Sequence, residues 1–152
     1  MKLTKVLAIV VALIVCILPM SAFASQEVLP SGYAGNTDSL IEVKNPDSAV
    51  STTNNKTCVI SAVAVPGTTV TIYSYDVAQA QYVKLYSEGK ALETEIGAAG
   101  LFAQNVELKN GTNTLLVVAA SGNLVETVKL DINMERSEAV ENIINIWQTL
   151  IK

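Results

Sequence analysis

Between Leu40 and Asn133 the apolar positions recur every second residue, which predicts a succession of short β-strands. The clearest case is Gly100 to Ala120. Phe102, Val106 and Leu108 share one face, and Leu115, Val117 and Ala119 share another, with the turn residues Lys109-Asn110-Gly111-Thr112 between them. Asn and Gly accept the backbone of a tight turn, so this stretch is expected to be a hairpin with a buried face. Thr69 to Tyr75 turns Val70 and Ile72 inward and Thr71, Tyr73 and Tyr75 outward. Tyr82 to Tyr86 turns Val83 and Leu85 inward, and Leu124 to Ile132 aligns Val128, Leu130 and Ile132. Thr57 to Val65 is nearly continuous in small and β-branched residues, the pattern of a central strand. Leu40 to Val43 and Leu92 to Ile96 are shorter candidates, and Ser48 to Lys56 reads as a polar loop. Many short strands separated by turn residues predict an antiparallel β-sandwich.

The two ends break this rhythm. Lys2 and Lys5, the apolar run from Val6 to Ile17, Pro19 and Ala22-Phe23-Ala24 form a secretory leader with cleavage after Ala24. The expectation is a signal peptide over 1–24, a secreted, extracellular or cell-surface protein, and no transmembrane segment after cleavage. Residues 25–39 are small and polar, with Pro30, Gly32 and Gly35, and predict a flexible N-terminal segment. From Met134 to Lys152 there is no Gly or Pro. Val140, Ile143, Ile144, Trp147, Leu150 and Ile151 fall at three- and four-residue steps, which predicts an amphipathic α-helix over 134–152.

Charge and chemistry narrow the functional classes. Loss of the leader leaves eight basic against 14 acidic residues, a net charge of −6. Without a basic cluster, nucleic acid is not an expected partner. Cys58 is the one cysteine beyond the leader, so no intrachain disulfide is available to the mature chain, and its position beside Ile60 and Ala62 predicts a buried, inert thiol. The chain has no His, which removes the commonest general base and metal ligand. Glu93 and Glu95 would share a strand face; they read either as an acid–base or calcium pair or, preferably, as a solvated face that discourages edge pairing. No catalytic residue, cofactor site or metal site is assigned, and the chain is not expected to be an enzyme. The surface constellation with chemical content is Tyr73, Tyr75, Tyr82 and Tyr86. Pairing of their strands would place all four outward on one side, a candidate binding surface for a sugar or a protein, unless another part of the chain covers it.

Ile41-Glu-Val-Lys-Asn-Pro46, Thr57-Cys-Val-Ile-Ser-Ala62, Pro66-Gly-Thr-Thr-Val-Thr-Ile72, Gly100-Leu-Phe102 and Val106-Glu-Leu-Lys-Asn-Gly-Thr-Asn-Thr-Leu115 follow one another as in bacterial Ig-like domains. Over 40–133 the chain resembles that extracellular family. The resemblance implies a mainly β, antiparallel Ig-like β-sandwich, here followed by the amphipathic helix, which is not part of the family pattern. It further implies a non-enzymatic module that binds a protein partner or serves a structural role at the cell surface. A carbohydrate-binding accessory domain, using the tyrosine face on a surface glycan, is the alternative. In an Ig-like topology the strands holding Tyr73, Leu116, Val118 and Val125 lie in one sheet whose outer face is too apolar to stay open. The helix is expected to cover it, with Ile143, Ile144 and Trp147 packed on Leu116, Val118 and Tyr73; the competing reading is that the helix pairs with another chain and leaves both surfaces as interfaces.

Overall fold

The alternating stretches do form strands, and two layers of them share one core. The computed structural model describes residues 25–135, 146–147 and 149–151. In chain order the strands are β1 (Val28–Pro30), β2 (Ile41–Asn45), β3 (Val50–Thr53), β4 (Thr57–Ala64), β5 (Thr69–Asp76) and β6 (Gln81–Lys84). They continue as β7 (Tyr86–Ser87), β8 (Lys90–Ala91), β9 (Glu93–Glu95), β10 (Leu101–Glu107), β11 (Gly111–Ser121) and β12 (Leu124–Met134). The larger sheet runs β1-β6-β5-β11-β12-β3, with β9 paired to β5 beside β6; the smaller runs β10-β4-β2, and β7 and β8 form a separate ribbon. Ile60, Ala62, Phe102 and Val106 from the smaller sheet meet Val70, Ile72, Leu115, Val117, Leu130 and Ile132 from the larger in one buried cluster.

Four expectations are corrected. The Gly100–Ala120 stretch is not a hairpin: β10 pairs with β4, and β11 pairs with β5 and β12. The turn at 108–110 carries the chain from one sheet to the other, tied by Asn113, whose Oδ1 accepts from Lys109 N at 2.8 Å and whose Nδ2 donates to Lys109 O at 2.8 Å. Alternation marks the faces turned to the core, and two strands facing each other across a core alternate as two strands in one sheet do. The tight hairpin instead joins β11 to β12 at Gly122-Asn123, where Gly122 has a positive φ of 59°.

The polar 48–56 stretch contains β3, which pairs in parallel with the last four residues of β12. Backbone pairing at a sheet edge asks little of the side chains, so no apolar pattern announced it.

The C-terminal helix is not an element of this fold. Among the described residues there is no helical element that packs on the sandwich. Met134 is spent on β12 and buried in the core, and Glu135 N donates to Thr53 O at 2.8 Å. Ile146, Trp147, Thr149 and Leu150 have helical backbone, but all are exposed, Trp147 at 62%. Val140, Ile143 and Ile144 lie outside the described residues. No helix among the described residues is long and apolar enough to cross a membrane.

The fourth correction explains the third. Residues 25–39, expected to be flexible, form a strap across the outer face of the larger sheet. At one end β1 pairs with β6 through Val28↔Val83, Leu29↔Tyr82 and Pro30↔Gln81. At the other end Asn36 N and Thr37 N donate to Val125 O at 2.7 and 3.2 Å, and Asn36 Oδ1 accepts from Val125 N at 2.8 Å. Leu29, only 2% exposed, and Tyr33 form a second apolar cluster with Tyr73, Tyr82, Leu116 and Val118. The apolar outer face is covered as its composition requires, but by the strap. With Val28, Leu29 and Tyr33 as the large apolar residues in a run of polar and small ones, the strap carries no periodicity that would mark it as an ordered element.

Candidate interaction surfaces

Tyr73, Tyr75 and Tyr82 come together on the strap-covered side of the larger sheet, whereas Tyr86 stands on the separate β7–β8 ribbon and is open to solvent. Antiparallel register sets Tyr75 opposite Tyr82 and Tyr73 opposite Lys84. Tyr73 is 1% and Tyr82 5% exposed, both beneath the strap; the Tyr75 and Tyr82 rings meet edge to face with centroids 5.0 Å apart. Tyr73 OH donates to Gln26 O at 2.8 Å, so the hydroxyl ties down the strap backbone. Tyr86 is exposed at 52%, and its hydroxyl donates to Glu27 Oε2 at 2.6 Å. Aromatic rings on this face therefore serve to hold the chain's own N-terminal segment.

Polar groups gather where the strap begins. Lys84, on the strap-covered face of β6, has a side chain only 6% exposed; its Nζ donates to Ser25 O at 2.8 Å, pairs with Glu27 Oε1 at 3.0 Å and lies 3.5 Å from Glu93 Oε2. Burial alone would push this ammonium down, but the hydrogen bond to Glu27 and the charge of Glu93 outweigh it and hold Lys84 above its ordinary value. The bonds from Tyr86 and Lys84 hold the Glu27 carboxyl below the usual range. Glu93 Oε2 also accepts from the hydroxyls of Ser25 and Thr71. Thus Glu93 and Glu95, two apart on β9, do different things: Glu93 joins this cluster, whereas Glu95 is exposed. Beside the cluster a cavity of about 170 Å³ lies under the strap, lined by Ser25, Leu29, Thr71, Tyr73, Val118 and Val125 among others.

The smaller sheet has the opposite character. Its outward positions place Leu101 opposite Val63, Ala103 opposite Ser61 and Asn105 opposite Val59. Leu101 is 70%, Val59 46% and Val63 44% exposed, and no described residue covers them. The Glu42–Lys44 ion pair, Asn105 and Glu107 border the stripe. The sign of this surface was present in Thr57 to Val65, which is apolar at both parities: Ile60, Ala62 and Ala64 fill the core, while Val59, Val63 and Val65 face out. Cys58 is half-buried against the core rather than fully enclosed, and burial pushes its thiol above the ordinary value.

No protein-family model matches this chain, and no curated protein matches it.

Proposed function

We propose that this chain is a secreted, non-enzymatic Ig-like module that binds a protein partner at the cell surface. The observation that carries the reading is the contrast between the two outer faces. One is sealed by the chain itself, and the other presents Val59, Val63 and Leu101 to solvent inside a polar border. An apolar centre with a polar rim is the anatomy of a protein-recognition surface. Two sheets packed on one core support the Ig-like assignment, and the leader with its Ala22-Phe23-Ala24 motif supports export. Burial of Tyr73 and Tyr82 turns the balance from a glycan to a protein, because a sugar needs open ring faces to stack upon.

A photo-crosslinking residue at Leu101, compared with one at Val77, which is exposed in the turn between β5 and β6 of the other sheet, tests this on producing cells. A discrete protein adduct is expected at Leu101, absent at Val77 and lost when Val63→Lys is added. Identical adduct patterns at both positions overturn the reading. An adduct of twice the chain's own mass identifies the partner as a second copy.

A further inference from the structure

The polar cluster under the strap is one positive charge short. Lys84 faces two carboxylates, Glu27 from the strap and Glu93 from β9. Tyr73 from β5, Tyr86 from β7 and Tyr33 from the strap complete the titratable groups around it. With both acids ionised the cluster carries a net charge of −1, and the excess weighs most on Glu93, whose side chain is 31% exposed against 64% for Glu27. Glu93 is the carboxylate left over, because Lys84 sits closer to Glu27 and bonds to it. Glu93 is in turn held by the hydroxyl of Ser25, and the carbonyl of Ser25 is held by Lys84 at 2.8 Å. The hydroxyl and the carbonyl of this serine are therefore both fixed inside the cluster, and its nitrogen is bonded to the Cα that carries them. Ser25 is also the residue that cleavage after Ala24 would make the N-terminus.

We propose that the α-ammonium freed at Ser25 by removal of the leader is the missing cation: it pairs with Glu93, neutralises the cluster and locks the strap over the larger sheet. The inference rests on the export reading above. The unprocessed chain has an uncharged amide at this point, so the same cluster keeps its excess negative charge and holds the strap less firmly. Processing and completion of the fold are then one event.

The composition makes the test clean. The protein has no His, and burial or hydrogen bonding holds Tyr73, Tyr86 and Lys84 above their ordinary values and Glu27 below its own. An α-amino group, ordinarily near about 7.7–8.0, titrates between them. Paired with Glu93 it keeps its proton to higher pH than in the unfolded chain. Its contribution is therefore complete below about pH 7.7 and is lost as pH rises through the folded value. The mature chain, released from a fusion so that it begins at Ser25, is to be melted beside the same chain N-acetylated. At about pH 6.5 the free-amine form is expected to melt about 3–6 °C higher, and the gap should close by about pH 9.5. In a Glu93→Gln background, which keeps an acceptor for the Ser25 hydroxyl, the two forms should melt together. Equal melting at about pH 6.5, or a gap that survives Glu93→Gln, overturns the pairing. The mass of the exported protein is a separate arm: a start at Ser25 is expected, and any other start overturns the link to processing whatever the melts show.

Discussion

Glu126 is a carboxylate with little water around it and two backbone N–H groups in front of it. It is 8% exposed on β12, and its Oε2 accepts from Leu40 N at 2.7 Å and from Ile41 N at 2.9 Å. Those donors begin β2, the edge strand of the opposite sheet, so one side chain clips the two layers together where the strap ends. Bonds to a charged acceptor contribute more than neutral ones, and buried donors left without a partner cost more still. Glu126→Ala is expected to destabilise by roughly 2–4 kcal/mol. Glu126→Gln retains an oxygen that both N–H groups can reach and should cost about 1 kcal/mol. Urea denaturation of both variants checks the ordering, and equal losses would mean that the charge, not the acceptor, holds the clip. At this scale the sequence says little, because an isolated Glu between Val125 and Thr127 looks like any solvated strand residue.

The strap is the element on which the architecture depends most, and Gly35 is its narrowest point. A Cβ there would lie 2.4 Å from Val125 O and 2.8 Å from Glu126 Cα, which no side chain can tolerate. Gly32, three residues earlier, has nothing within 4 Å. Gly35→Ala should lift this end of the strap and cost on the order of 1–3 kcal/mol, with faster amide exchange at Asn36 and Thr37, while Gly32→Ala should leave both unchanged. Exchange rates by NMR distinguish the two. Most strands, their inward faces and the need for a cover over Tyr73, Leu116 and Val118 were legible in the alternation of residues. Which element supplies the cover was not. The C-terminal stripe of Val140, Ile143, Ile144 and Trp147 has the periodicity of a covering helix, whereas the strap is held by backbone pairing with β6 and β12, Leu29, Tyr33 and a Tyr73 hydroxyl bond to Gln26. Backbone bonds leave no mark in composition. The same blindness made a corner between sheets look like a hairpin and hid β3 in a polar loop. Tyr73, Tyr75 and Tyr82 share one side of the larger sheet while Tyr86 lies on the β7–β8 ribbon, and what sequence could not show was the segment lying on Tyr73 and Tyr82.

For the molecule as a whole, the charged pairs set where stability is lost. Hydrogen bonds from Thr114 and Lys129 hold the Asp131 carboxyl below the usual range, as Tyr86 and Lys84 do for Glu27. A carboxyl depressed in the folded state stabilises above its unfolded pKa, about 3.9 for Asp and about 4.3 for Glu, and that contribution disappears as pH falls through the folded value. Lys84, Tyr73 and Tyr86 are raised, so their share is present below their unfolded values, about 10, and is lost above them. Urea midpoints measured from acid to alkali should therefore fall below about pH 4 and again above about pH 10. Thr114→Val, which removes the largest cause of the Asp131 shift, should make the acid limb shallower. The strap also imposes an order on biosynthesis. Gly35 bonds to Thr127 across 92 residues, and Leu40 to Glu126 across 86. In a chain made from its N-terminus, a segment that emerges early docks on strands that emerge among the last. Until β12 is complete, Tyr73, Leu116 and Val118 have no finished sheet to share with Leu29, and a ribosome stalled before Glu126 presents a sticky, half-built domain. Contacts this distant in sequence slow folding, so this protein is committed to fold after its last strand has been made, as a finished chain rather than piece by piece.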